Sequence, residues 1–271
     1  MEQIIKKYVS EYNPCVCLIC HSENDSFSLS FMSSLISSKD FLNNYNIPLH
    51  IEVSNNSNDQ CRNKVKNDLL AKACSIQKIT HILYVNDNIC WNPIDIIKLL
   101  LSNKYCVSAV IPDTTFNWDK IYNNPDIINQ WKQINEIQNL NNNAEEVLQY
   151  HILNYNIGYI DNNLNLENST GKVDFFKMGF TLLKIDMIKK LQLCFPRTKY
   201  YDEKLSTHQN NNTYFLLNSG IEKNTYFSEN DIFLKRWKNI GGTLWINVSI
   251  NVTLTNTQYY KGSFYNSITQ I

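Results

Sequence analysis

The chain has little arginine and no excess of charge of either sign. Its 271 residues include 25 Lys plus Arg and 25 Asp plus Glu, which gives a formal net charge of +0. Arginine occurs only at positions 62, 197 and 236. A balanced charge of this kind lacks the basic footprint by which proteins bind duplex nucleic acid or an anionic membrane surface. We therefore expect no nucleic-acid partner.

Long apolar runs are also missing. Residues 1–10 are charged from the second position onward and lack the apolar core of a signal peptide. No later run approaches the roughly 20 apolar residues that span a bilayer. The eight cysteines of a chain without a secretory signal are interpreted as reduced thiols. These features predict a cytoplasmic protein without a membrane span, located in the host cytoplasm if the chain is viral.

Asparagine, isoleucine, lysine and tyrosine are abundant. Their codons are AT-rich, so the composition suggests an AT-rich genome such as that of a large DNA virus or a protist parasite. Asn-rich stretches therefore reflect codon usage as readily as chemistry. The length suits one large α/β domain, and we expect a single domain over residues 1–271.

Short apolar segments alternate with helical patterns along the first half of the chain. Strands are predicted at residues 15–20, 48–53, 81–85 and 106–111. Further on, residues 173–185 are strand-like, and residues 229–240 form a helical pattern that ends at two glycines. This order predicts an α/β domain with a central, mostly parallel mixed sheet flanked by helices. Such sheets bind ligands outside the carboxyl ends of their strands, so the residues that follow strands are the candidate site.

Three polar residues, Asn86, Asp87 and Asn88, directly follow the apolar strand at residues 81–85. They place oxygen-bearing side chains at the carboxyl edge of the predicted sheet. Pro93 then stands at the first turn of a predicted helix. A plain turn is the alternative interpretation, because Asn and Asp favour turns.

Two further segments contain residues suited to a phosphate or a sugar. Arg62 and Asn63 open a helical pattern, where a guanidinium and an amide suit a diphosphate or sugar hydroxyls. An exposed arginine on an amphipathic helix is the alternative. Gly179 lies inside an apolar strand, where the absent Cβ permits close approach of another group or marks a bulge.

An acidic pair, Glu229 and Asp231, follows Ser228 at the start of a predicted helix. A carboxylate in that place can deprotonate a hydroxyl. Helix capping explains the same acids, because Ser is a favoured N-cap and acids complement the helix dipole.

These segments together resemble the GT-A fold of nucleotide-sugar-dependent glycosyltransferases, in order and spacing, from about residue 16 to residue 262. The family has an Asp-any-Asp pair after a buried strand, and this pair holds a divalent cation that bridges the donor's two phosphates. Here the outer positions are Asn86 and Asn88, and a third family ligand aligns with Asn256. The resemblance implies Mn²⁺ or Mg²⁺ at Asp87, Asn88 and Asn256, with reduced affinity because amides replace carboxylates, or no metal at all.

The resemblance also implies a GT-A Rossmann-like fold and a nucleotide-sugar donor, UDP-linked, with roles for individual residues. Those residues are His21 and Ser22 at the base pocket, Arg62 and Asn63 on the donor, Asn86, Asp87 and Asn88 on the diphosphate or its metal, Gly179 beneath the donor sugar, and Lys261 as a charge for the diphosphate. Glu229 is the first candidate for the base that activates the acceptor hydroxyl, and Asp231 is the second.

The predicted function is transfer of a sugar to a hydroxyl of a protein, glycan or lipid. The alternative is a catalytically inactive GT-A-like module that binds a nucleotide sugar or serves assembly. A nucleotidyltransferase is a third interpretation, but the chain has no Gly-rich basic loop after its first strand.

Overall fold

The computed structural model describes residues 2–22, 26–54, 62–124, 126–129, 144–222, 224–255 and 259–268. The side chains of Tyr122 and of residues 144–147 and 259–261 lie outside this description. The helices are α1 (Glu2–Tyr12), α2 (Leu29–Asn43), α3 (Arg62–Ser75), α4 (Ile94–Leu101), α5 (Asp119–Asn123), α6 (Ala144–Ile152), α7 (Ile185–Cys194), α8 (Thr207–Asn210), α9 (Glu229–Asn239) and α10 (Phe264–Ile268), with a 3-10 turn at Pro196–Thr198.

Most strands are short, and the longest form the central sheet. The strands are β1 (Val16–His21), β2 (Leu49–Ser54), β3 (His81–Val85), β4 (Ile89–Cys90), β5 (Cys106–Ala109), β6 (Pro112–Phe116), β7 (Leu153–Tyr155), β8 (Ile157–Gly158), β9 (Leu166–Glu167), β10 (Thr170–Val173), β11 (Phe175–Phe176), β12 (Phe180–Lys184), β13 (Gly220–Glu222), β14 (Thr225–Phe227), β15 (Leu244–Asn247), β16 (Thr253–Thr255) and β17 (Tyr259–Lys261).

The central sheet has eight strands in the order β2-β1-β3-β12-β5-β15-β10-β9. Strand β1 pairs in parallel with both β2 and β3, and β15 pairs in parallel with β5. Strand β12 lies between β3 and β5 and is antiparallel to both. This antiparallel insertion brings the Gly179 end of β12 next to the carboxyl end of β3, because Phe180 pairs with Val85.

Helices cover both faces of the sheet because its strands alternate between two hydrophobic cores. In β1, Cys17 and Ile19 pack in one core, and Leu18 and Cys20 pack in the other. Helices α3, α7 and α9 contribute to the first core, whereas α1, α2 and α4 contribute to the second. Burial on both faces explains why β1 and β3 are apolar without a period of two.

The predicted α/β Rossmann-like domain with a central mixed sheet flanked by helices is confirmed. The third strand was predicted at its observed bounds, and the helix at residues 229–240 ends at Asn239, within a residue of the prediction. The sheet contains more antiparallel pairing than predicted, since four of its seven strand pairs are antiparallel. Helix α1 was not predicted, and residues 173–185 form two strands instead of one.

Within the described residues, no helix combines the length and apolar character needed to cross a bilayer. The seven described cysteines are free thiols, and burial raises the pKa of Cys17 to about 12. Cys61 lies outside the described residues.

Candidate functional site

The carboxyl ends of β1 and β3 lie side by side at one edge of the sheet. Ile19 pairs with Tyr84 in a parallel register, so His21 at the end of β1 and Asn86 just beyond β3 reach the same edge. Helices α3 and α9 pack on the same face of the sheet. The site residues predicted after strands therefore converge here, as the parallel topology requires.

These elements enclose a polar cleft of about 270 Å³, which we call the edge cleft. Its lining comes from the end of β1, from α3, from the end of β3 with the following triplet, and from the start of α9. The lining residues are His21, Lys66, Tyr84, Val85, Asn86, Asp87, Asn88, Glu229 and Asn230. Five of the residues predicted for the site, His21, Asn86, Asp87, Asn88 and Glu229, are thus found around one cavity.

The triplet is both a tight turn and a wall of the edge cleft. The Asn86 N–H donates to the Gly179 carbonyl at 2.8 Å, and the Ile89 N–H donates to the Asn86 carbonyl at 3.2 Å. The Asn88 carbonyl accepts hydrogen bonds from the Thr255 N–H at 2.7 Å and from the Thr255 hydroxyl at 3.0 Å. The turn interpretation is therefore confirmed, and the triplet also lines the cleft, while its role in binding a diphosphate or a metal stays a prediction.

Ser22 hydrogen-bonds to the Asp87 carboxylate. This serine is fully buried, and its Oγ lies 2.9 Å from Asp87 Oδ2 and 2.7 Å from the Ser26 carbonyl oxygen. Its backbone N–H donates to the Ser54 carbonyl at 2.8 Å, which fixes it to the end of β2. Ser22 is not among the lining residues of the cleft, and its predicted place at a base pocket stays a prediction.

Gly179 allows β12 to pass close to the triplet. A Cβ at this position would lie 2.9 Å from Ile89 Cδ1 and 3.1 Å from Asn86 Nδ2. Both contacts are tighter than ordinary packing, so a side chain would push against the Asn86 amide. Gly179 lies directly before β12 and not inside a strand, and its neighbour is the triplet loop; its place beneath a donor sugar stays a prediction.

Lys66 is a lining residue of the edge cleft that the sequence analysis did not predict. Its Nζ lies 2.6 Å from Glu229 Oε1, and Tyr84 lines the same cleft. The Lys66 side chain is only 13% exposed, which is unusual for a lysine. Its spacing of four residues from Arg62 on α3 puts the two on one helix face, and this signal was available in the sequence.

Glu229 is held as a carboxylate by its neighbours. Burial raises the pKa of Glu229, but the hydrogen bond and charge of Lys66, together with the charge of Arg62, outweigh burial and leave the pKa below its ordinary value. Burial acts to lower the pKa of Lys66, and its bonds and charges with Tyr84 and Glu229 reverse that effect and raise it. Both partners are therefore ionised at neutral pH.

Arg62 and Asn63 sit at the start of α3 beside the edge cleft and are not among its lining residues. Arg62 is exposed, and its charge reaches Glu229. The Asn63 Nδ2 donates to the Ser219 Oγ at 3.2 Å, so this side chain holds a neighbouring segment. The predicted arginine and triplet therefore lie on the same side of the molecule, with Lys66 and Glu229 between them.

Asp231 has a structural role in the capping box of α9. Its N–H donates to the Ser228 Oγ at 3.3 Å, and its Oδ2 accepts from the Ser228 N–H at 2.8 Å. It lines a separate groove next to Asp174, which forms an ion pair with Lys238. The geometry thus separates the two acids proposed as bases, because only Glu229 faces the edge cleft.

Two predicted site residues, Asn256 and Lys261, have no described side chain. Asn256 lies outside the described residues, and Lys261 belongs to β17, of which only the backbone is described. Lys261 pairs with Thr253 in β16, and β16 pairs with β4 directly after the triplet.

Two buried polar atoms of the edge cleft have no hydrogen-bond partner within the described part of the chain. They are Nδ1 of His21 and Oδ1 of Asn230. Buried polar groups in proteins are nearly always bonded to protein or to another polar molecule.

The described lining residues are a poor donor set for a tightly held Mn²⁺ or Mg²⁺. The described lining carboxylates are Asp87 and Glu229, and Glu229 is bound to Lys66, while Asn86, Asn88 and Asn230 contribute only neutral amide oxygens. Hard divalent cations bind most tightly to several carboxylates, and the ammonium of Lys66 lines the same cavity. This set does not fit a resident divalent ion.

The chain matches no family model and no curated protein. Among solved structures, the chain is similar to the crystal structure of A197 from STIV, with 10% sequence identity and a TM-score of 0.46 over 89% of this chain and 85% of that one. A TM-score of this size establishes neither a shared family nor a shared activity.

Proposed function

We propose that the protein is a glycosyltransferase that binds a nucleotide sugar in the edge cleft, and its resemblance to the GT-A family favours a UDP-linked donor. It would transfer the sugar to a hydroxyl of a protein, glycan or lipid. The observation that carries the proposal is the convergence of the triplet, Lys66 and Glu229 on one cavity at the carboxyl edge of the sheet. The cavity, at about 270 Å³, lies just below the range for ligand pockets, which begins at about 300 Å³, so it suits part of the donor, its diphosphate and sugar end.

In this proposal, Glu229 is the base for a transfer with inversion. The acceptor oxygen forms a bond to the anomeric carbon while the bond from that carbon to the phosphate oxygen breaks. The acceptor proton passes to the Glu229 carboxylate, and the nucleoside diphosphate leaves with the bonding electron pair. Lys66 and Arg62 offset the charge of the departing diphosphate.

The second candidate is a catalytically inactive module that binds a nucleotide sugar. It is favoured by one observation, since Glu229 is already engaged by Lys66 at 2.6 Å and a base must be free to accept a proton. This candidate shares the binding step and lacks the turnover.

The experiment is a screen of UDP-sugars for binding and for donor hydrolysis or transfer, with Mn²⁺ and with chelator. Glu229→Gln should retain binding and lose turnover by at least about a hundredfold, the usual contribution of a general base. Glu222→Gln is the matched control, because this exposed acid pairs with Lys235 away from the cleft and its loss should leave turnover unchanged. Binding without turnover for every donor would support the inactive module, and the absence of any binding would refute both candidates.

A further inference from the structure

The edge cleft contains one described cation and two anions. Lys66 lines it together with Asp87 and Glu229, and the lysine is bound to Glu229. A diphosphate that enters this cavity meets an ammonium that is already paired with Glu229. Because opposite charges attract strongly in a confined site, the phosphate and the Glu229 carboxylate compete for this ammonium, which can bind the phosphate closely only by turning from the carboxylate.

We infer that the Lys66–Glu229 ion pair is a ligand-operated latch, in which a bound diphosphate takes Lys66 from Glu229 and so releases Glu229. This inference rests on the proposed function for the identity of the ligand, and it deepens that function by assigning Lys66 as the diphosphate's cation. The lysine ammonium is suited to the exchange because it is a compact charge on a flexible stem with three donors.

The latch couples donor binding to the strength of the base. In the ligand-free protein, the charge and hydrogen bond of Lys66 hold the pKa of Glu229 down, against the effect of burial. When Lys66 turns to the phosphate, burial remains and the depressing contact is lost, so the pKa of Glu229 rises. The carboxylate is therefore a better proton acceptor when the donor is bound than when the cleft is empty.

Competition between Glu229 and the ligand for one cation gives a test that does not depend on turnover. The affinity of UDP and of inorganic pyrophosphate is measured by isothermal titration calorimetry in the presence of chelator. Glu229→Gln should bind both ligands about fivefold more tightly than the unchanged protein, because it removes the rival for Lys66. Lys66→Met should weaken both by at least tenfold.

The double variant Lys66→Met with Glu229→Gln separates the latch from simple repulsion. If the latch is correct, Glu229→Gln gives less than a twofold gain once Lys66 is absent, since the two residues act as one unit. An equal gain in both backgrounds would overturn the inference, as would unchanged or weaker binding in Glu229→Gln alone. Lys64→Met is the matched control, because this lysine lies on the same helix, pairs with Asp68 and Asp202, and should leave UDP affinity unchanged.

The outcomes distinguish the latch from the proposed function. Tighter UDP binding in Glu229→Gln without sugar transfer from any donor would keep the latch and refute the transferase. Sugar transfer by the unchanged protein, with no gain of UDP affinity in Glu229→Gln, would keep the transferase and refute the latch. Thermal melting of each variant shows whether a lost affinity reflects a lost fold.

Discussion

At the scale of single residues, the edge cleft differs from a carboxylate-rich metal site by a few side-chain atoms. Asn88 presents an amide where the resembling family has an acid, and its backbone carbonyl is fixed by Thr255. Replacing the amide with a carboxylate should therefore add a charge and leave the loop in place. The substitution tests whether this side chain shares a site with Asp87.

Asn88→Asp should tighten Mn²⁺ binding by at least about fivefold, because a second carboxylate beside Asp87 raises the affinity of an oxygen site for a hard cation. Calorimetric titration of Mn²⁺ with and without UDP measures the effect. Asn103→Asp introduces the same charge at an exposed turn and serves as the control. Equal Mn²⁺ affinity in Asn88→Asp and in the unchanged protein would show that the side chain at position 88 does not face the diphosphate.

At the scale of elements, two helices position the charged pair of the cleft. Helix α3 carries Lys66, and its buried Asn67 bonds to both the N–H and the carbonyl of Leu217, which fixes the segment before β13 against the helix. Helix α9 carries Glu229 in its first turn, and the capping box of Ser228 with Asp231 holds that turn. The segment around Leu217 is thus attached to α3.

Ser228→Ala should lower the free energy of unfolding by about 1 kcal/mol, the usual contribution of an N-cap side chain. It should also loosen the first turn of α9 and change UDP affinity, because Glu229 and Asn230 lie in that turn. Urea unfolding and UDP titration measure the two effects.

Ser206→Ala is the matched control for this element, because Ser206 forms an equivalent capping box with Gln209 at the short helix α8. It should cost stability without changing UDP affinity. If both variants left UDP affinity unaltered, the position of Glu229 would not depend on its cap.

At the scale of the whole molecule, one buried imidazole links stability to pH. Burial, aided by the charge of Lys184, lowers the pKa of His81 to about 4. The unfolded chain has a histidine pKa of about 6.5, so between pH 6.5 and 4 it binds more protons than the folded protein. Keeping His81 neutral therefore adds to the free energy of unfolding. This contribution is fully present above pH 6.5 and is lost as the pH falls towards 4.

At pH 5 this contribution should have fallen by about 2 kcal/mol relative to pH 7.5. In His81→Gln, the decline between these pH values should be shallower by about that amount, as measured by urea unfolding at both. His208→Gln, at an exposed histidine, should retain the full decline. An equally steep decline in His81→Gln would show that other groups set the pH dependence.

The sequence alone determined the elements whose signals are local. The apolar run of β3, the helix of residues 229–239 with its serine cap and paired glycines, and the triplet after β3 each follow from neighbouring residues. The meeting of His21 and the triplet at one edge also followed from the rule that parallel strands end together, whereas the place of Glu229 was implied by the family resemblance. The sequence could not show which of the two acids, Glu229 or Asp231, faces the edge cleft, because only the fold places them in different grooves.

Tertiary structure decided everything that depends on contacts between distant segments. The antiparallel direction of β12 depends on its pairing with β3 and β5, which no local pattern contains. The sequence alone does not distinguish Lys66 from an ordinary surface lysine. Its partner Glu229 lies 163 residues further along the chain, and the packing of α3 and α9 brings the two side chains together beside the cleft. The charge balance of the site therefore comes from packing, because it is the fold that buries an ammonium beside a carboxylate and makes each of them hold the other ionised.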